Sequence, residues 1–89
     1  MQTQKTIDYY LSLTYPILLI HVPEDGIWYA QIPLLPGCMS DGETPDEAIE
    51  NVTEAKAAWL EVALEEDDTI PEPDPLDQLL AHFDKRHAA

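Results

Sequence analysis

Two runs rich in β-branched and aromatic residues, 15–22 and 27–32, meet across Pro23-Glu24-Asp25-Gly26. That junction constrains the fold more than any other stretch of the chain. Proline suits the second position of a turn, and Asp-Gly supplies the positive φ that a tight hairpin needs. The chain therefore has to build an antiparallel strand pair. The first run, Tyr15 to Val22, is bounded by Pro16 and Pro23, and its near-continuous apolarity predicts burial on both faces. On the second, Ile27 to Ile32, Trp28, Ala30 and Ile32 point one way and Ile27, Tyr29 and Gln31 the other. Pro33 ends it, and Leu34-Leu35-Pro36-Gly37 leads to a short third strand at Cys38 to Asp41, suited to a sheet edge.

Thr44-Pro45-Asp46-Glu47 is a capping box with proline at the first helical position. Thr44 Oγ1 can accept from the Glu47 amide, and the Glu47 carboxylate can reach back to the Thr44 amide. The helix it opens is predicted to run from Pro45 to Glu66. Ala48, Val52, Ala55, Trp59, Val62 and Ala63 form its apolar stripe, with Glu47, Glu50, Glu54, Glu61 and Glu65 opposite. Ile49, Leu60 and Leu64 make an apolar shoulder that needs a further neighbour: the N-terminal helix, the C-terminal helix or another subunit. A short helix is predicted over Gln4 to Leu11, where Ile7, Tyr10 and Leu11 share a face. A last helix is predicted after Asp74-Pro75, striped by Leu76, Leu79, Leu80 and Phe83. The expected core holds Leu18, Ile20, Trp28, Ala30, Val52, Ala55 and Trp59. The fold class is α+β: a three-stranded antiparallel sheet on one long helix, with short N- and C-terminal helices. Residues 1–14 form an N-terminal arm, 15–73 the core and 74–89 the last helix of a single domain.

Charge narrows the function. The 89 residues carry 18 acids against 4 Lys and Arg, a net −14. Fourteen of the acids lie between Asp41 and Asp77, where Lys56 is the one base. Such a surface repels phosphate backbones and anionic membranes, so no direct nucleic-acid or membrane binding is expected, and a basic protein is the natural partner. The polar stretch Met1 to Tyr10 has no signal-peptide core, and the longest apolar run, Ile17 to Ile20, cannot span a membrane. One cysteine, Cys38, can form no internal disulfide and fits a reducing compartment.

Motifs for catalysis are weak, and no enzyme activity, cofactor or metal is expected. Cys38 with His21 as base would be a nucleophilic pair, but no basic residue or helix start lies near it in sequence. Cys38 reads as a small buried hydrophobe and His21 as a structural histidine. His82, Asp84 and His87 offer metal-ligand chemistry, yet the two histidines point about 140° apart on a helix. Asp67 and Asp68 lack the glycine and ligand spacing of a calcium loop.

The ordered set that starts at Pro36-Gly37-Cys38 and continues through Gly42, Thr44, Glu47-Ala48 and Asn51, with Ile70-Pro71-Glu72-Pro73 closing it, resembles the N-terminal domain of HicB-type antitoxins. The resemblance covers about Tyr15 to Pro73. It implies a truncated RNase H-like fold and a cytoplasmic antitoxin that masks a small basic mRNA-cleaving toxin of the HicA type, without nuclease activity of its own. Family members often carry a C-terminal DNA-binding module. Asp74 to Ala89 read as a single helix, too short for one. The alternative is a HicB-like self-associating structural or regulatory protein without a toxin.

On either reading a homo-oligomer is expected, with Ile49, Leu60, Leu64, Leu76, Leu79, Leu80 and Phe83 at the contact. On the antitoxin reading, Glu24, Asp25, Asp41, Glu43 and Asp46 steer the toxin. Trp28 or Tyr29 then serves as an apolar anchor if exposed; otherwise Trp28 belongs to the core.

Overall fold

A computed structural model describes residues 5–87, with side chains as far as residue 81. The elements follow the predicted order: α1 (Ile7–Leu11), β1 (Leu18–Val22), β2 (Ile27–Gln31), β3 (Met39–Gly42), α2 (Pro45–Glu65) and α3 (Leu76–His87). The sheet is antiparallel in the order β1-β2-β3. The hairpin turn is held by Asp25 N–H to Val22 O and Gly26 N–H to Pro23 O, both 3.1 Å. Positive φ falls on Gly26 alone (67°), not on the Asp-Gly pair.

Register sorts the strands into two faces, because directly paired residues point the same way. Leu19 pairs with Ala30 and Ala30 with Ser40, while His21 pairs with Trp28 and Trp28 with Gly42. This face lies under α2: Ala30 is fully buried, and Leu19 and Trp28 pack on the core. The opposite face is made of Leu18–Gln31–Met39, Ile20–Tyr29–Asp41 and Val22–Ile27. Among the described residues no element covers it. Leu18 and Ile20, expected in the core, are 48% and 45% exposed. Burial of the first strand on both faces, expected from its unbroken apolarity, requires a layer on each side of the sheet. Among the described residues one helix, α2, packs on the sheet, and β1 is an edge strand. It also starts later than expected, because Tyr15 turns inward and its hydroxyl donates to Pro71 O at 2.6 Å.

The core joins Ala30 and Ile32 to Leu35 and Cys38 of the β2–β3 connection and to Ala48, Val52, Leu60 and Ala63 of α2. Tyr10, Tyr15 and Ile70 complete it. Trp28, Ala55 and Trp59 pack against it half-buried, the Trp59 indole N–H donating to Pro36 O at 2.8 Å. Glu54 and Glu61 face solvent, as the helix phase requires. The phase drifts toward the C-terminal end. Leu60, expected at an oligomer contact, is fully buried within its own chain, and Val62, expected on the inward stripe, is 51% exposed. Here α1 packs on α2. The buried sector turns toward the Tyr10, Tyr15 and Ile70 cluster, drawing in Leu60, Ala63 and Leu64. The N-terminal helix is thus a neighbour for the Leu60 and Leu64 end of the apolar shoulder.

Both ends of α2 are fastened. Thr44 Oγ1 accepts from the Glu47 amide at 3.1 Å, while the Glu47 carboxylate takes the Glu43 amide at 2.6 Å, one residue earlier than expected. At the other end Asp68 N–H reaches Ala63 O (2.9 Å) and Asp67 N–H reaches Leu64 O (3.2 Å), a Schellman closure. Asp67 sits in it at φ 59°, a conformation that costs a residue with a Cβ about 1–2 kcal/mol, beside carbonyls that disfavour negative charge. Asp67→Gly is therefore expected to raise stability by about 0.5–1 kcal/mol, read as a higher urea midpoint at unchanged slope.

The N-terminal arm is strapped to the segment after α2. Lys5 Nζ donates to Glu72 Oε2 at 2.8 Å and Tyr9 Oη to Glu72 Oε1 at 2.9 Å. The Lys5 ammonium, followed by the Tyr9 hydroxyl, holds the Glu72 carboxyl below its usual range. Among the described residues α3 adds nothing to the core: Leu76 and Leu80 are 51% and 46% exposed.

Candidate partner-binding site

The strand register gathers the acids singled out from sequence. Glu24 and Asp25 occupy the β1–β2 turn, and Gly42, at the end of β3, pairs with Trp28, one residue from that turn's exit at Ile27. Asp41 follows near the end of β3, Glu43 in the connection just before the Thr44 cap, and Asp46 in the first turn of α2. All five are exposed and lie at one end of the sheet, and among the described residues none is in an ion pair. Glu43 and Asp46 stand where the helix dipole favours negative charge. The β3–α2 corner that presents them is stiff. Asn51 Nδ2 donates to Asp41 O at 2.8 Å. A Cβ on Gly42 would fall 2.5 Å from the Ala48 nitrogen, so glycine alone lets strand and helix approach this closely.

The two aromatic candidates divide. Trp28 is half-buried on the helix side, and the exposed His21 ring stacks on it at 4.2 Å between centroids and 12° between planes. Tyr29 is 41% exposed on the uncovered face, across from Asp41. Exposed apolar side chains of that face, Leu18, Ile20 and Met39, were missed as surface residues. For Met39 the available signal was strand alternation with the inward Cys38.

His21 and Cys38 are not brought together. His21 pairs with Trp28, whereas the Cys38 carbonyl accepts from Ile32, four residues along β2 or about 13 Å. Cys38 is buried, and burial pushes its thiol pKa up. Among the described residues no three His, Cys, Asp or Glu side chains converge on a point that could hold a metal. The side chains of His82, Phe83, Asp84 and His87 lie outside the described residues. Of the expected oligomer contacts, Ile49, Leu64 and Leu79 are half-buried, and Leu76 and Leu80 exposed. Among the described residues no helix is long and apolar enough to cross a membrane.

Comparison with known proteins agrees with the resemblance. The family described as HicB_like antitoxin of bacterial toxin-antitoxin system matches residues 15–88, running past Pro73 through α3. A UPF0150 protein of Synechocystis is 39% identical over 57 residues, 64% of this chain and 72% of that one. A UPF0150 protein of Thermoplasma acidophilum is 34% identical over 65 residues, 73% of this chain and 93% of that one. A protein named Antitoxin HicB 1, of Photorhabdus laumondii, is 31% identical over 67 residues, 75% of this chain and 43% of that longer one. No solved structure matches. With the family model matching residues 15–88, most of its length, this chain belongs to the HicB-like antitoxin family of bacterial toxin-antitoxin systems.

Proposed function

We propose that the chain is a cytoplasmic, non-enzymatic antitoxin that binds and masks a small basic RNA-cleaving toxin of the HicA type. The observation that carries this reading is the cluster of Glu24, Asp25, Asp41, Glu43 and Asp46 at one end of the sheet, without cationic partners among the described residues. A basic toxin approaching that end gains long-range attraction before contact, and the stiff Gly42–Asn51 corner holds the backbone that carries Asp41, Glu43 and Asp46, which lowers the ordering cost there. Tyr29, exposed beside Asp41, supplies an apolar anchor.

Co-expression with a short basic open reading frame beside the gene tests the reading. The expected result is co-purification and relief of growth arrest. A toxin that stays active beside this chain, or a free chain in every preparation, favours a self-associating protein without a toxin. Docking at the acidic end is tested by Glu24→Lys with Asp25→Lys, in a turn where substitution should barely disturb folding. The association rate at low salt is expected to fall about tenfold, with little change in dissociation. An unchanged rate with the fold intact would move the docking surface to the Glu50, Glu54 and Glu61 side of α2.

A further inference from the structure

We propose that the uncovered sheet face is where a second copy of this chain docks, sheet against sheet about a two-fold axis. This does not rest on the toxin reading. The described core is a two-layer slab, one helix on one sheet, and the molecule's smallest extent is 17 Å. Sheets bury their apolar faces against a second layer, and this one has a layer on one side only. Leu18, Ile20, Tyr29 and Met39, on three adjacent strands, are all 41–54% exposed on the bare side. An apolar patch spread across a whole sheet face marks an interface.

Charge selects the occupant. A chain of net −14 meeting its own copy has to do so where carboxylates are absent. On this face the strands present one charge, Asp41, near the end of edge strand β3 and so at the perimeter. The acidic end of the sheet and the glutamate side of α2 would both bring like charges together. A basic toxin has the reverse preference, so the acidic end suits the toxin and the apolar sheet face a second copy, with Tyr29 and Asp41 at the boundary where the two surfaces meet. A two-fold arrangement lays the face on itself, making the two-layer slab a four-layer sandwich with sheets about 10 Å apart.

The two modes respond to salt with opposite sign. Screening weakens attraction between an acidic chain and a basic toxin, but it weakens repulsion between two −14 chains. Sedimentation of the pure chain at high micromolar concentration is expected to show a dimer whose fraction rises from 20 mM to 500 mM salt. Leu18→Glu with Ile20→Glu, at exposed positions of β1, should return it to a 10 kDa species, and Val62→Glu on exposed α2 should not. Met39→Glu on the opposite edge strand serves if the double variant fails to fold, with the same expectation. A monomeric wild-type chain overturns the proposal. So does a dimer that persists in either sheet-face variant, or one that dissociates as salt rises. Loss of toxin binding in those variants, with no self-association in the wild type, assigns the face to the toxin and equally overturns it.

Discussion

Leu60→Ala is expected to cost the fold about 2–5 kcal/mol, the range for truncating a buried leucine whose cavity cannot collapse. Leu60 has no exposed surface and stands where α2 meets the Tyr10, Tyr15 and Ile70 cluster. For a small domain with roughly 5–15 kcal/mol of stability in all, that is a large fraction, and the variant should be substantially unfolded in mild urea. Val62→Ala, two residues on and 51% exposed, should stay within about 0.5 kcal/mol of the parent. Equilibrium unfolding of the pair reads the phase of α2 directly. If Val62→Ala proved the costlier change, the inward stripe would be the one read from periodicity, and Leu60 would be free for an oligomer contact.

Gly42→Ala is the second large effect, about 1–3 kcal/mol or more. The added Cβ meets backbone, the Ala48 nitrogen at 2.5 Å and the Glu47 carbonyl carbon at 2.9 Å, which cannot swing aside as a side chain would. Relief requires β3 and the first turn of α2 to separate, straining the Asn51–Asp41 hydrogen bond and the Glu47–Glu43 cap that bind the corner. Gly26→Ala is the matched control: its Cβ enters open space, and only its φ of 67° penalises it, by about 1 kcal/mol. Unfolding curves for the two variants, with amide exchange over residues 43–48, should show Gly42→Ala as the more damaging and the only one to loosen the start of α2. Equal effects would mean that the close approach does not limit the corner.

What was legible in the sequence was local chemistry. Pro23 to Gly26 and Thr44 to Glu47 specify a turn and a helix start through their own hydrogen bonds, and both appear within a residue of where they were read. The acids could be named as types, but only the β2–β3 register places the hairpin acids at the same end of the sheet as Glu43 and Asp46. The burial of β1 was misread because the same four apolar residues, Ile17 to Ile20, suit either a strand between two layers or one beneath a single layer. The number of layers is a property of the whole chain. The strap from Lys5 and Tyr9 to Glu72 spans more than sixty residues and leaves no periodic trace. Leu60 was misplaced for a related reason: an ideal helical stripe assumes one flat neighbour, and α2 has a sheet along part of its length and α1 along another part.

The chain's one thiol, Cys38, is 2% exposed and lies at the joint between sheet and helix, its amide and carbonyl bonded to Leu35 and Ile32. Burial raises its pKa, so little of it is the reactive thiolate even when reagent is at hand. An alkylating probe therefore has a single target in each molecule, and that target reacts only when the joint opens. The labelling half-time is a stopwatch on that opening, readable by mass in a crowded lysate where optical melting is blind. It lets the lifetime of the closed form be followed with and without a bound partner, without adding a dye or changing a residue.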